Sequence, residues 1–162
     1  MALKNLDHEE LMRRVERLHT QYVEEKLSCS ERTFLTVRSI VDTDVPPEVV
    51  ALLTGFGGGI GGTHASVCGA VSGGVAALGL IYGRRHPAEE QSARAYEVAR
   101  DFFCQFKSRF GSEVCGALIG DLLKTNAFDS EARRERCFQY TRHAIRMCVD
   151  TLIKYETIYG KA

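Results

Sequence analysis

The chain has 162 residues, of which 44% are apolar and 26% are charged, and this balance predicts a single globular domain over residues 1–162. Its 21 basic and 21 acidic side chains give zero net charge, which argues against a nucleic-acid-binding protein because such proteins carry a basic excess. The first ten residues are polar and acidic, unlike a signal peptide, so we expect a cytoplasmic protein. In that compartment, six cysteines are expected to be metal ligands, redox thiols or buried core thiols rather than structural disulfides.

Two capping boxes organise the first part of the chain. Asp7 with Glu10 predicts the start of one helix, and Ser28 with Glu31 predicts a second helix that begins at Cys29. The following "DVPPEVV" predicts a short helix, because proline is tolerated in a first turn, and this helix is expected to end at Gly55.

The middle of the chain is rich in glycine. A loop, "GFGGGIGG", leads into a helix that Thr63 or Ser66 could cap and that runs to about Tyr82. A dinucleotide site would need a strand before these glycines and a phosphate loop would need Gly-Lys-Ser or Gly-Lys-Thr, so we expect no nucleotide. The helix is low in large apolar residues, so we expect no membrane span. Gly69 and Gly73 share one face, which predicts close approach of a partner helix.

Three further helices complete the predicted fold. "HPAEE", with Pro87 in the first turn, opens a long helix, and Ser112 is placed to cap a short helix that carries Cys115. Asp129 or Ser130 is expected to start the last helix. No stretch alternates like a strand. The sequence therefore predicts an all-α bundle of about six or seven helices, with the Gly-rich loop leading into a small-residue central helix. The buried stripe of the long helix is expected to consist of Tyr96, Ala99, Phe103, Phe106 and Phe110.

The pattern Val-Cys-Gly-Ala-x-x-Gly occurs twice, at residues 67–73 and 114–120. Cys68 and Cys115, and also Cys29, fall in predicted first turns of helices. The unpaired amides and the positive dipole end of a first turn favour a thiolate, the form that binds metals and attacks disulfides. Glycine and alanine beside each cysteine leave room for a neighbouring helix or cluster, here with Gly116 and Gly120 in the second copy. The alternative is that these cysteines are small buried core residues.

The other cysteines are weaker candidates. Cys137 and Cys148 share a helix face but lie about 16 Å apart along the axis, so they cannot bind one metal ion together. Cys137 is nearer the helix start and is the preferred ligand, whereas Cys104 points away from the apolar stripe of its own helix. His64 is the one histidine well placed to join the site, although on its own it is more typical of a polar loop residue. With no CxxC or CxxCH, any metal site must come from separate helices, and we expect no covalently attached haem.

With these residues assembled, the chain resembles the "putative redox-active protein (C_GCAxxG_C_C)" family. The likeness spans residues 28–148 and rests on "CSERTFL", the long segment "LLTGFGGGIGGTHASVCGAVSGGVAALGLIYG", "FKSRFGSEVCGALIG" and the late Cys137. The family label reads Gly-Cys-Ala where this chain reads Cys-Gly-Ala. The resemblance implies a helical redox domain, with Cys29, Cys68, Cys115 and Cys137 as the family cysteines. A similar domain in split-Soret cytochromes, which carry haem and an iron–sulfur centre, implies a cluster by analogy.

Three hypotheses follow. The first is an iron–sulfur cluster, preferably 2Fe–2S, or another metal, bound by the four family cysteines for electron transfer or redox sensing with an unidentified redox partner. The second is a metal-free thiol–disulfide oxidoreductase or thiol sensor, in which a cysteine such as Cys29 would attack and Cys68 or Cys115 would resolve the mixed disulfide. The third is a helical interaction module whose cysteines belong to the core. Small-residue helix faces also make a homodimer a candidate.

Overall fold

The computed structural model describes residues 2–86, 93–124 and 130–160. Within them the chain forms six α-helices, one 3-10 helix and two very short strands, so the predicted all-α bundle of six or seven helices is confirmed. The elements are β1 Ala2–Leu3, α1 His8–Glu24, α2 Cys29–Arg38, β2 Val41–Asp42, the 3-10 helix Pro47–Phe56, α3 Gly69–Tyr82, α4 Ala93–Phe110, α5 Cys115–Leu123 and α6 Glu131–Tyr159.

The prediction that the chain contains no strands was wrong, because two very short strands form a small ribbon. β1 and β2 pair antiparallel, with Leu3 opposite Val41. Both side chains are buried in the core. Two residues on each strand are too few to show the alternation by which a strand is recognised in sequence.

Both capping boxes form as predicted. The Asp7 side chain accepts from the Glu10 amide at 2.8 Å, and α1 follows directly. Ser28 caps α2 while the Glu31 carboxylate accepts from the Ser28 amide at 2.8 Å, so Cys29 is the first residue of α2. Ser130 caps α6 through the amide of Arg133 at 3.1 Å. The alternative cap Asp129 and the predicted first-turn Pro87 lie outside the described residues.

The starts of α3 and α5 differ from prediction. Cys68, rather than Thr63 or Ser66, is the N-cap residue of α3, and Val114, rather than Ser112, is that of α5. Neither N-cap residue supplies a side-chain hydrogen bond. The 3-10 helix also runs one residue past Gly55, to Phe56.

Helix α3 is the central element, packed against α2, α4 and α6. The buried face of α4 consists of Val98, Phe102 and Phe106, so the predicted stripe was rotated relative to the real one. Tyr96, placed in that stripe, is 56% exposed.

In the described part of the chain, no helix combines the length and hydropathy needed to traverse a bilayer, as predicted.

Candidate functional site

The two copies of the Val-Cys-Gly-Ala pattern pair with each other. Val67 and Val114 form an antiparallel bridge. The Cys68 amide donates to the Glu113 carbonyl at 2.8 Å, and the Cys115 amide donates to the Ser66 carbonyl at 2.9 Å. At α5 the bonded amide belongs to the first turn, and the next one, of Gly116, donates to the His64 carbonyl, so α5 needs no side-chain cap. At α3 the bonded amide is that of the N-cap residue itself. The repeat therefore fixes Cys68 and Cys115 side by side at the entrances of α3 and α5.

Two glycines let the loop before α3 lie directly on α5. A Cβ atom at Gly59, which has φ +68°, would stand 2.8 Å from the Cys115 Cβ. A Cβ atom at Gly116 would stand 2.7 Å from the His64 carbonyl oxygen, which accepts the Gly116 amide. Gly116 therefore makes the predicted close approach. Gly120 does not, since nothing lies within 4 Å of a Cβ atom there.

The predicted close approach at Gly69 and Gly73 is confirmed, and the partner is α2. A Cβ atom at Gly69 would overlap the Cys29 sulfur and lie 2.9 Å from the Ser30 amide nitrogen. A Cβ atom at Gly73 would overlap the Ser30 carbonyl oxygen. The glycine face of α3 thus brings the first turn of α2, with Cys29, against the start of α3, where Cys68 lies.

The fourth predicted cysteine, Cys137, is half-buried on α6. Burial first, and then the charge of a Cys29 thiolate, raises the pKa of each of the other three thiols, Cys68, Cys115 and Cys137. Helices α2, α5 and α6 and the residue before α3 each contribute one cysteine to this group. We call these four residues the four-cysteine centre.

Burial has the largest effect on the pKa values of Cys68 and Cys115. It raises the pKa of Cys115 to about 11 and also raises that of Cys68, which is 7% exposed, while neighbouring thiols act in the same direction. A backbone hydrogen bond from Ala70 favours the Cys68 thiolate but has the smaller effect. The expectation that helix starts make thiolates of these two cysteines was therefore wrong, because desolvation outweighs the first-turn amides. Without a bound cation, both remain neutral thiols at neutral pH.

Two arginines face the centre. Arg32 lies one turn after Cys29 on α2, and its guanidinium interacts with the charges of Cys29, Cys68 and Cys137. Arg133, in the first turn of α6, lowers the pKa of Cys115 and Cys137 against the effect of burial. Sequence reasoning did not select either residue. The signal that could have found Arg32 is its position three residues after Cys29, where helical side chains share a face.

His64 belongs both to the loop and to the site. It has a left-handed backbone (φ +58°), and its Nδ1 lies 3.4 Å from the Cys115 sulfur. The two interpretations of His64 left open by the sequence therefore both hold.

The remaining two cysteines lie in contrasting surroundings. Cys104 is exposed on α4. Cys148 is fully buried, and its sulfur would be 3.1 Å from a Cβ atom at Gly74. Burial raises the pKa of the Cys148 thiol, as expected of a core residue.

The number and type of side chains in the centre determine which metal group it could bind. Among the described residues, no three or more His, Cys, Asp or Glu side chains are arranged to hold a single metal ion. A 2Fe–2S cluster needs four thiolates, two at each iron, so it does not require three donors around one ion. The buried Arg32 Nε has no hydrogen-bond partner among the described residues, which suits a site that carries negative charge. The donor set fits such a cluster in type and number.

Comparison with known proteins identifies the family of the chain. The chain matches the family described as "Putative redox-active protein (C_GCAxxG_C_C)" over residues 27–151, a span that contains the whole four-cysteine centre. No curated protein and no solved structure matches it. Since the match covers most of the chain, the protein belongs to this redox-active family.

Proposed function

We propose that Cys29, Cys68, Cys115 and Cys137 ligate an iron–sulfur cluster, preferably 2Fe–2S, that serves electron transfer or redox sensing. The observation that carries the proposal is backbone packing: the bridge between Val67 and Val114 joins the segments that carry Cys68 and Cys115, and Gly69, next to Cys68, lies against the Cys29 sulfur. Four thiolates are the protein ligand set of such a cluster.

The chemistry of the surrounding residues favours metal ligation over free thiols. Burial keeps Cys68 and Cys115 protonated in the metal-free protein, and a bound metal would remove those protons because only the thiolate ligates. Arg32 and Arg133 supply positive charge that offsets thiolate charge. When bound, the cluster would accept or release one electron. The glycine contacts around Cys29 and Cys115 hold the sulfurs in a tightly packed setting that limits access of water.

The test is anaerobic purification from iron-replete cells, followed by iron and sulfide analysis and visible spectroscopy. We expect visible absorption and about two irons per chain. Cys68→Ser should lose both, whereas Cys104→Ser, at an exposed position on α4, should retain both. Colourless wild-type protein without bound iron would contradict the proposal.

A second candidate is metal-free thiol–disulfide exchange, and the contact between His64 and Cys115 favours it. The imidazole would accept the Cys115 proton, and the thiolate would attack a substrate disulfide and release one substrate thiol. A second cysteine of the centre, such as Cys68, would then displace the other substrate thiol. Overall, two protein thiols become one disulfide and the substrate disulfide becomes two thiols. Peptide mapping of air-oxidised, iron-free protein tests this, and the absence of any Cys115 disulfide would contradict it.

We further propose that the protein acts in the cytoplasm with a protein redox partner, and that it associates as a homodimer through an open small-residue face of α3. Gly79 and Val75 are exposed on that helix. Sedimentation of wild-type protein and of Gly79→Arg over a range of concentrations tests the dimer. A wild-type chain that stays monomeric would contradict it.

A further inference from the structure

We infer that the Gly-rich loop and the end of the 3-10 helix form the docking surface for a redox partner protein, one that presents apolar side chains surrounded by basic ones. The inference rests on the proposed function, since it concerns the partner with which the four-cysteine centre exchanges electrons. The surface carries three large apolar side chains, Leu52, Phe56 and Ile60, which are between 40% and 73% exposed. We call these three residues and the glycines between them the loop surface.

Backbone contacts place this loop directly against the segments that carry the cysteines. A Cβ atom at Gly57 would stand 3.0 Å from the Cβ atom of Ser28, the residue before Cys29. A Cβ atom at Gly59 would stand 2.8 Å from the Cys115 Cβ. The loop therefore reaches from the start of α2 to the start of α5. Since Phe56 and Ile60 flank residues 57–59, a protein that contacts both is separated from the centre by one segment of backbone.

Ile60 has an unfavourable backbone conformation for its residue type. Its φ is +65°, in the left-handed region where a β-branched residue is strained. Glycine adopts this conformation freely, and glycine occupies every other position from 57 to 62. The Ile60 side chain is partly exposed, so burial within the chain offsets only part of the strain. Strained residues are typical of binding sites, and contact with another protein explains an isoleucine here.

The loop surface is open and small. Nothing lies within 4 Å of a Cβ atom at Gly55, Gly61 or Gly62, so a partner can lie against the backbone between the apolar side chains. The three side chains together expose on the order of 300 Å². A stable interface buries about 800 Å² on each partner, whereas electron-transfer contacts are smaller. The size therefore fits a transient redox partner better than a permanent second copy of the chain.

The charge of this region indicates the chemistry of the partner. Between residues 41 and 83 the chain carries three acidic side chains and no lysine or arginine. Glu48 is exposed in the first turn of the 3-10 helix, and Asp44 is exposed and paired with Arg85 at 3.6 Å. Opposite charges steer two proteins together, so we expect basic side chains around the apolar contact of the partner. A membrane is a poor occupant, because its anionic lipids repel acidic side chains.

The test uses oxidised cytochrome c as the probe, since it is a basic electron-transfer protein with apolar side chains around its exposed haem edge. The full chain, purified anaerobically with its iron and then reduced, is mixed with the probe in a stopped-flow instrument at a concentration at which the chain is monomeric. One electron passes from the centre to the haem, so the centre is oxidised and the haem is reduced, and no bond forms or breaks. The wild-type rate constant should fall as salt is added, because salt screens opposite charges.

Two variants remove apolar side chains from the loop surface. Ile60→Gly and Leu52→Ser should each lower the second-order rate constant about tenfold, the effect of losing one hot-spot side chain. Ile158→Ser is the control, because Ile158 is 56% exposed but lies about 30 Å along α6 from Cys137. It should react like wild type, and ferricyanide, a small oxidant that needs no docking surface, should oxidise all four proteins equally fast. Loop variants that react with cytochrome c as fast as wild type, at full iron content, would overturn the inference and leave the cluster proposal intact.

A second measurement covers protein that contains no iron. In folded, metal-free protein, an NMR titration with reduced cytochrome c should shift the methyl signals of Leu52 and Ile60 but not those of Ile158. Unshifted Leu52 and Ile60 signals would overturn the inference. So would an Ile60 signal that shifts instead when the chain alone is concentrated, which indicates a second copy, or when phosphatidylcholine vesicles are added, which indicates a membrane. If wild-type protein never binds iron, the cluster proposal fails, and this measurement still decides the role of the loop surface.

Discussion

Gly69 lies so close to Cys29 that even a methyl group at position 69 would overlap the cysteine sulfur. The Cys29 side chain could rotate away, but the Ser30 amide nitrogen, 2.9 Å from the same point, belongs to the backbone of α2 and cannot. We therefore expect Gly69→Ala to destabilise the protein by about 1–3 kcal/mol through overpacking and to reduce iron binding. Chemical denaturation and iron analysis of the variant measure the two effects.

Gly79→Ala is the matched control within one chain, since it makes the same change on the same helix, and both variants are measured at a concentration at which the proposed homodimer is dissociated. A Cβ atom at Gly79 meets nothing within 4 Å. Alanine should leave stability unchanged or raise it by up to about 1 kcal/mol, because it is the better helix former. Equal losses in the two variants would mean that glycine is needed throughout α3 for another reason than contact with α2.

A comparison of Gly59 with Gly61 distinguishes the effect of backbone strain from the effect of contact with the four-cysteine centre. Gly59 and Gly61 both have positive φ, +68° and +58°, so alanine is strained at both. Only Gly59 adjoins Cys115, whereas nothing lies within 4 Å of a Cβ atom at Gly61. We expect Gly59→Ala alone to displace Cys115 and lower the iron content. Backbone strain costs both variants about 1 kcal/mol of stability, and overpacking makes the loss larger for Gly59→Ala. Similar iron contents in the two variants would contradict the role given to Gly59.

The sequence correctly predicted those features of the structure that depend on residues close together in the chain. The capping boxes at Asp7 and Ser28 correctly predicted the starts of α1 and α2, including Cys29 as a first helical residue. The small-residue face of α3 also indicated a close neighbour. These features depend on residues within one or two turns of each other, so they can be read without knowledge of the fold.

Tertiary effects explain what the sequence did not predict. The starts of α3 and α5 depend on the bridge between Val67 and Val114, and the repeated pattern does not reveal that its two copies pair. The acidity of Cys68 was misjudged because its burial comes from packing, which a helix start does not encode. Arg32 could have been noted from its place three residues after Cys29, but its interaction with the charges of Cys68 and Cys137 depends on the packing of α3 and α6 against α2.

We expect the buried side chain of His19 to make the protein less stable in mild acid. Its folded-state pKa of about 4 lies below the ordinary value of 6.5, so the unfolded chain binds the proton first as the pH falls. The contribution of His19 is complete above pH 6.5 and is lost as the pH falls toward 4, at no more than about 1.4 kcal/mol per pH unit. Urea denaturation of wild type and His19→Gln between pH 7 and 4 should show a flatter pH dependence for the variant.

His8→Gln is the control for that experiment, because the His8 side chain is 61% exposed at the start of α1. Its stability curve is the reference for the loss of an exposed imidazole. If the curve of His19→Gln runs parallel to that of wild type, then the buried imidazole does not control the acid sensitivity of the fold.

The reactivities of the six thiols should follow burial rather than position at a helix start. In reduced, metal-free protein we expect iodoacetamide to modify the exposed Cys104 readily at neutral pH. Cys68 and Cys148 should react slowest, because burial raises the pKa of each and also blocks access. Peptide mass spectrometry after a short pulse gives the order, and denatured protein, in which all six should react alike, is the reference. If Cys68 reacted as fast as Cys104, the effect of the first-turn amides on the thiol would have to outweigh that of burial. The sequence-based prediction of a thiolate at this helix start would then be correct.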